Sequence, residues 1–213
     1  MKTKKILQGE RILKKNNFIA QAGLFFLLAL LLFSCAQKAK ETNTEVVKYA
    51  YHEAGHALMV GLNPLLLDLK KVTIVQEGDF GGFTEYDCEE TLYYFAYLLK
   101  IDLAGYLAEE ITFGYTNETI LDVFCNCYGS DSSDFILAAY RCVKKDPALK
   151  VTAQTQITKD DGEKMHKLML SSVLEVRKAL KEHKKQLQAI AEALLEKKTL
   201  SGEEVYAIMK KTK

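Results

Sequence analysis

Apolar residues recur with helical spacing over most of the chain that follows residue 43. This spacing predicts helices in five segments, which are 43–62, 89–113, 132–145, 160–198 and 201–211. The segment 160–198 is expected to break near Glu182 and His183. Between the first two helices, β-branched residues 71–75 and the segment 83–86 flank a glycine-rich turn, which predicts a hairpin or bent strand pair. We therefore expect a mainly α (α+β) fold with a small β hairpin or sheet.

Capping residues mark several of the predicted helix ends. Thr42 with Glu45, and Ser201 with Glu204, fit the capping box, in which a hydroxyl residue is followed three positions later by Glu. The segment 89–113 is interpreted as one long amphipathic helix that ends at Gly114. These residues therefore predict where the first and last helices begin and where the helix at 89–113 ends.

A continuous apolar run, residues 24–33, precedes this domain. It follows a basic segment and is followed by Ser34, Cys35 and a polar stretch, an order typical of a secretory signal. The run also resembles a bacterial lipoprotein signal, which has a Leu three residues before a Cys that is cleaved and acylated. The alternative to this favoured interpretation is an uncut membrane helix, because the 19 residues 18–36 can span a bilayer. Both hypotheses anchor the protein in a membrane.

Charge is balanced overall but unevenly placed. The 213 residues include 29 Lys and Arg against 28 Asp and Glu, so the chain has no strong field that would attract nucleic acid. Six basic residues precede the apolar run and three lie in the fifteen positions after it. This bias predicts an inside amino terminus and an extracytoplasmic domain, with the cytoplasmic face as the alternative.

The motif with the clearest chemistry is His52-Glu53-Ala54-Gly55-His56, inside the first predicted helix. Two histidines four residues apart project from one helical face, where they can ligate one zinc ion. Glu53 is then carried beside the open position of the metal, where it can act as a general base. Half of the four histidines of the chain lie in this motif.

A catalytic zinc site needs a third protein ligand and leaves the fourth position for water. The other two histidines, His166 and His183, lie far away on charged helices, so a carboxylate is the natural candidate. The candidates are Glu109, Glu110, Asp131 and Asp134. The residues alone leave this choice open, because Asp also favours helix starts.

Several motifs, in the same order along the chain, resemble the peptidase domain of the FtsH family of membrane-bound, ATP-dependent zinc proteases. They lie at 50–58, 71–74, 81–84, 103–105, 108–114, 133–135 and 187–204. The resemblance implies a helical zinc-peptidase domain at 45–213. The signal or anchor, with Cys35 as its lipidation site, then occupies 1–35, and a polar tether occupies 36–44.

The resemblance also implies a role for each motif residue. In that family the two motif histidines and a distant Asp bind zinc and the motif Glu is the base, which corresponds here to His52, His56, Asp134 and Glu53. Glu109 and Glu110 would then be structural or would support the ligands. The loop before Asp134 holds an extra residue relative to the family, so Asp131 is the alternative ligand.

No phosphate-binding Gly-x-x-x-x-Gly-Lys-Ser/Thr motif occurs in this sequence, so we expect the ATPase module of the family to be missing. The predicted function is that of a membrane-anchored, ATP-independent zinc metalloendopeptidase acting on loose or unfolded polypeptides. The alternatives are a catalytically silent binding or scaffold protein, or a peptidase that works with a separate ATPase. Homo-oligomerisation is left open.

Two further expectations concern substrate contact and the cysteines. The strand at 72–75 is expected either to bind substrate, which would pair with it as an added β-strand, or to be an ordinary paired edge strand.

After Cys35 the chain has four cysteines, Cys88, Cys125, Cys127 and Cys142. One disulfide within 125–142 is a hypothesis for an exported domain.

Overall fold

The computed structural model describes residues 44–75, 82–89, 91–114, 130–150 and 155–212, and of 130–134 it describes the backbone alone. Six helices lie in this part of the chain: α1 (44–61), α2 (Leu92–Phe113), α3 (Ser130–Lys144), α4 (Lys159–Glu182), α5 (Lys184–Lys197) and α6 (Gly202–Lys211). The strands are β1 (Leu67–Thr73), β2 (Phe83–Cys88) and β3 (Thr199–Ser201). The prediction of a mainly helical fold with a small sheet is confirmed.

All of these elements, apart from the first two residues of α1, belong to one compact unit, Val46–Lys213. The predicted signal or anchor at 1–35, residues 36–43 of the tether and the Thr42 cap lie outside the described residues. Within the described ranges, no helix has both the length and the apolar character needed to cross a bilayer.

α1 and α2 pack against each other at very short range. A Cβ atom placed on Gly55 would lie 2.4 Å from the carbonyl oxygen of Ala104 and 2.8 Å from the Cβ of Ala108. Only glycine at this position allows α1 to approach the backbone of α2 so closely. Three further small residues of α1, Ala50, Ala54 and Ala57, are fully buried.

α2 is the buried centre of the helical part. It begins after Thr91, whose hydroxyl oxygen accepts a hydrogen bond from the Tyr94 N–H, and it ends as predicted at Gly114, whose φ is 74°. Every residue from 101 to 108 is buried. The prediction of an amphipathic helix is wrong for this stretch, because α1, α3 and α4 all pack against α2.

β1 is the central strand of an antiparallel sheet with the order β2-β1-β3. Val72 of β1 faces Thr84 of β2 on one side and Leu200 of β3 on the other. The predicted hairpin pairing is confirmed, but the expectation that 72–75 presents a strand edge is wrong for Val72 and Thr73. β3 was not predicted, because three residues are too short to show a period.

α4 and α5 are separated at His183, close to the predicted break. The start of α4 is held by Thr158, whose hydroxyl accepts a hydrogen bond from the Asp161 N–H. The Lys144 ammonium, 2.6 Å from Asp161 Oδ2, and the Thr158 hydroxyl lower the pKa of the Asp161 carboxyl below its usual range. This partly buried contact joins α4 to the end of α3.

Cys88 and Cys142 are half-buried free thiols. Cys125 and Cys127 lie outside the described residues. The disulfide hypothesis therefore has no support at Cys142, and for Cys125 and Cys127 it stays a prediction.

The predicted capping box at the start of α6 is confirmed. The Ser201 hydroxyl accepts the Glu204 N–H at 3.2 Å, and a Glu204 carboxylate oxygen accepts the Ser201 N–H at 2.9 Å. A Cβ atom on Gly202 would lie 1.7 Å from the Leu69 carbonyl oxygen. The start of α6 therefore packs directly on the backbone of β1.

Loss of the Ser201 cap is expected to destabilise the domain modestly. Ser201→Ala removes the acceptor of the Glu204 N–H, and changes of this kind cost about 1 kcal/mol. We expect urea denaturation to show a free energy of unfolding lower by about that amount, and Ser201→Asp to recover most of it. Ser171→Ala, at an exposed serine within α4, is the control. An equal loss from that variant would contradict the capping explanation.

Candidate active site

His52 and His56 lie one turn apart on α1 and direct their rings to the same point. Their Nε2 atoms are 3.0 Å apart, and their ring planes make an angle of 70°. His56 is buried, whereas 20% of the His52 side chain is exposed. The structure therefore brings together the two residues predicted as zinc ligands.

The other ring nitrogen of each histidine is held by an oxygen acceptor. His52 Nδ1 lies 2.7 Å from Glu109 Oε1, and His56 Nδ1 lies 2.7 Å from the carbonyl oxygen of Ile101. A carbonyl oxygen and a carboxylate accept hydrogen bonds, so we assign the proton of each ring to Nδ1. In the neutral rings this assignment leaves a lone pair on each Nε2, which is the form that binds a metal ion.

Two Nε2 lone pairs at this distance repel each other. A cation placed beside both nitrogens would attract both lone pairs and so offset this repulsion. Zinc binds histidine nitrogens at about 2.0–2.1 Å, so two ligands around a tetrahedral ion are about 3.3 Å apart. The observed separation of 3.0 Å is close to that value. The imidazole pair and the oxygens behind it therefore fit a zinc ion.

α2 passes the imidazole pair at Gly105. A Cβ atom at this position would lie 2.4 Å from His56 Nε2 and 2.5 Å from His52 Nε2. Any side chain would occupy the space beside both nitrogens, so this glycine leaves room for an ion. Gly105 was not predicted as a site residue, because no sequence pattern relates it to the histidines.

The two glutamates of α2 contact groups other than the Nε2 atoms. Glu109 binds the far nitrogen of His52, and Glu110 forms a bidentate ion pair with Arg177 of α4, with N···O distances of 2.9 and 2.7 Å. These contacts agree with a supporting role rather than with either glutamate being the third ligand. Arg177 was not predicted as a partner of Glu110, because 67 positions separate the two residues.

Asp131 and Asp134 lie near the start of α3, but their side chains are not among those described. α3 packs against α2, the helix that carries Gly105 and Glu109. Among the described side chains, no group of three or more His, Cys, Asp or Glu residues could hold a metal ion. The third ligand therefore stays a prediction.

Glu53 leaves α1 on a different face from the histidines and points toward β2. Its side chain is buried, and Oε2 accepts a hydrogen bond from the Thr84 hydroxyl at 2.9 Å. A Cβ atom on Gly82 would lie 3.0 Å from Glu53 Cγ. From the sequence, Gly82 was expected only in the turn before the segment 83–86 and Thr84 only within that segment, since no pattern pairs either residue with Glu53.

Comparison with known proteins points to one family. A family model described as Peptidase family M41 matches residues 39–120. An ATP-dependent zinc metalloprotease YME1 homolog of Schistosoma mansoni is 31% identical over 177 residues, which are 75% of this chain and 26% of that protein. ATP-dependent zinc metalloprotease FtsH 1 of Thermomicrobium roseum is 28% identical over 184 residues, covering 77% of this chain and 28% of that protein.

The chain thus spans about a quarter of the length of these relatives. A shorter alignment, with ATP-dependent zinc metalloprotease FTSH 1, chloroplastic, of Oryza sativa subsp. japonica, reaches 41% identity over 78 residues, or 33% of this chain and 11% of that protein. Together with the family match over the histidine motif, these alignments show that this chain contains a peptidase domain of the FtsH family.

Proposed function

We propose that this chain is a zinc-dependent metalloendopeptidase. The observation that carries the proposal is the pair of Nε2 atoms of His52 and His56, which converge beside Gly105 while their Nδ1 atoms are fixed by oxygen acceptors. The matched relatives are described as zinc metalloproteases, which supports zinc as the metal.

In the proposed site, His52 and His56 would hold zinc through Nε2, and Asp134 would supply the third protein ligand. Zinc, when bound, lowers the pKa of its water to about 7 and polarises the carbonyl group of the peptide bond to be cleaved. The contacts of Glu109 and Ile101 keep both imidazoles in the tautomer that binds a metal.

Glu53 is the proposed general base. Its carboxylate removes a proton from the attacking water and then delivers that proton to the amine that leaves when the peptide bond breaks. Burial and the Thr84 hydrogen bond restrict the rotamers of the Glu53 side chain, so its orientation is set before substrate binds.

The proposed substrate is an extended stretch of a loose or unfolded polypeptide. Both edges of β1 are occupied, whereas β2 pairs only with β1 among the described strands. A substrate could therefore pair with the outer edge of β2 through main-chain hydrogen bonds, which would give weak sequence preference. β2 also carries Thr84, so such a substrate would lie near Glu53.

The proposed peptidase acts without ATP hydrolysis by this chain, because the sequence lacks the phosphate-binding motif. Residues 1–35 are the proposed signal or membrane anchor, either lipidated at Cys35 or uncut with residues 18–36 as its membrane helix, and the excess of basic residues before the apolar run favours an extracytoplasmic domain. Protease accessibility of the domain in sealed vesicles would test this orientation.

Replacing Glu53 with Gln separates metal binding from turnover. The full chain carrying Glu53→Gln is expected to keep one zinc per chain, while casein cleavage falls at least about a hundredfold because the base is lost. Zinc is measured by elemental analysis and cleavage with labelled casein. Glu45→Gln, at an exposed position of α1, is the matched control and should cleave normally. Stoichiometric zinc without Glu53-dependent cleavage would favour the silent binding protein, and absence of zinc would remove the enzyme proposal.

The third ligand is tested by comparing two aspartate variants. Asp134→Ala is expected to lower zinc affinity by about a hundredfold or more, because a direct ligand is removed, whereas Asp131→Ala should bind as the unchanged chain does. Competition with a chromophoric chelator measures both affinities. The reverse result would assign the ligand to Asp131.

A methyl group at Gly105 is expected to displace the ion. Gly105→Ala places its Cβ within 2.5 Å of both Nε2 atoms, so zinc affinity should fall at least about tenfold even where circular dichroism shows the fold retained. Gly162→Ala, at a helical glycine with open space around it, is the control. Unchanged zinc affinity in Gly105→Ala would show that the ion does not bind between α1 and α2.

A further inference from the structure

The orientation of Glu53 depends on β2 rather than on α1. Successive residues of a helix point about 100° apart, so Glu53 cannot face the same direction as the adjacent His52. The structure directs its carboxylate to Thr84, and the described side chain is only 6% exposed. The sheet therefore provides the contacts that fix this carboxylate.

The Thr84 hydroxyl can donate one proton, and two oxygen atoms of Glu53 lie close enough to accept it. The carboxylate oxygen Oε2 is 2.9 Å away, whereas the backbone carbonyl oxygen is 3.4 Å away. The shorter contact involves a charged acceptor, and such hydrogen bonds are the stronger ones. The proton therefore goes to Oε2, which leaves Oε1 to accept a proton from another molecule.

The backbone position of Thr84 is fixed by strand pairing. Thr84 faces Val72, a fully buried residue of the central strand. A β-branched residue suits this strand, and Val would suit it equally well. The hydroxyl group of Thr84 thus adds nothing that the strand requires, whereas it is directed at Glu53.

Gly82 limits Glu53 from a second direction. Its Cβ would lie 3.0 Å from Glu53 Cγ, 3.2 Å from Oε1 and 2.7 Å from the carbonyl oxygen of Thr73. The Thr73 carbonyl belongs to the paired strand β1 and cannot easily move. The backbone of Gly82 therefore lies against the Glu53 side chain on the Oε1 side.

We propose that Thr84 is a positioning residue that holds the Glu53 carboxylate through Oε2, so that Oε1 is the oxygen left to accept the proton of the reacting water. This inference rests on the proposed function of Glu53 as the base. Thr84 acts through Glu53 and does not contact substrate or metal. Because Thr84 sets the orientation of the carboxylate that transfers the proton, a change at Thr84 would alter kcat more than KM.

The test uses the full chain and three variants. Thr84→Val keeps the shape of the side chain and removes the proton donor, and Thr84→Ser keeps the donor. Thr73→Val is the matched control, because Thr73 is a buried threonine of the same sheet whose hydroxyl contacts Thr199 instead of Glu53. For each variant, bound zinc, thermal stability, kcat and KM with a fluorogenic peptide are measured.

The expected result for Thr84→Val is full zinc occupancy, a kcat lower by roughly tenfold to a hundredfold and a KM within about twofold. Thr84→Ser should restore kcat to within about threefold, because it donates the same hydrogen bond. Thr73→Val should lose stability without a comparable loss of kcat. An unchanged kcat in Thr84→Val, or an equal loss in Thr84→Ser, would overturn the proposal.

Crystal structures of the zinc-loaded wild type and Thr84→Val test the position of Glu53 independently of turnover. The proposal expects the Glu53 carboxylate to change rotamer in the variant, and an identical position in both would overturn it. If the wild type binds zinc but cleaves no peptide, the proposed function fails. The two structures still decide whether Thr84 positions Glu53.

Discussion

The close approach of α1 to α2 is the constraint on which the candidate site depends. Gly55 removes a side chain from the contact between the two helices, and Gly105 removes one from the space beside His52 and His56. At this distance the carbonyl oxygen of Ile101 can accept a hydrogen bond from His56. The same packing therefore stabilises the core and orients the imidazole pair.

Neighbouring residues of α1 are controlled by different parts of the structure. The histidines are oriented by α2, whereas Glu53 is oriented by β2, because one helical step rotates the side chain by about 100°. The bidentate pair of Glu110 with Arg177 joins α2 to α4 next to Glu109, which contacts His52. Since α2 is buried on several sides, displacement of any of these helices would alter the geometry of the imidazole pair.

Much of the fold could be predicted from local signals. The break at His183, the end of α2 at Gly114 and the capping box at Ser201 were all predicted from neighbouring residues, because each depends on interactions within a few positions. β3 and the central position of β1 were not predicted. Strand pairing joins Val72 to Leu200, and no local period carries that information.

The sequence by itself determined the candidate chemistry, because two histidines and a glutamate at helical spacing limit what one turn of α1 can do. The tertiary structure decided which groups control that chemistry. Contacts of Glu109, Gly105 and Thr84 with the motif cross between elements, and the Thr84 contact spans 31 positions. Such contacts follow from the packing of α1 between α2 and β2, which a linear pattern does not encode.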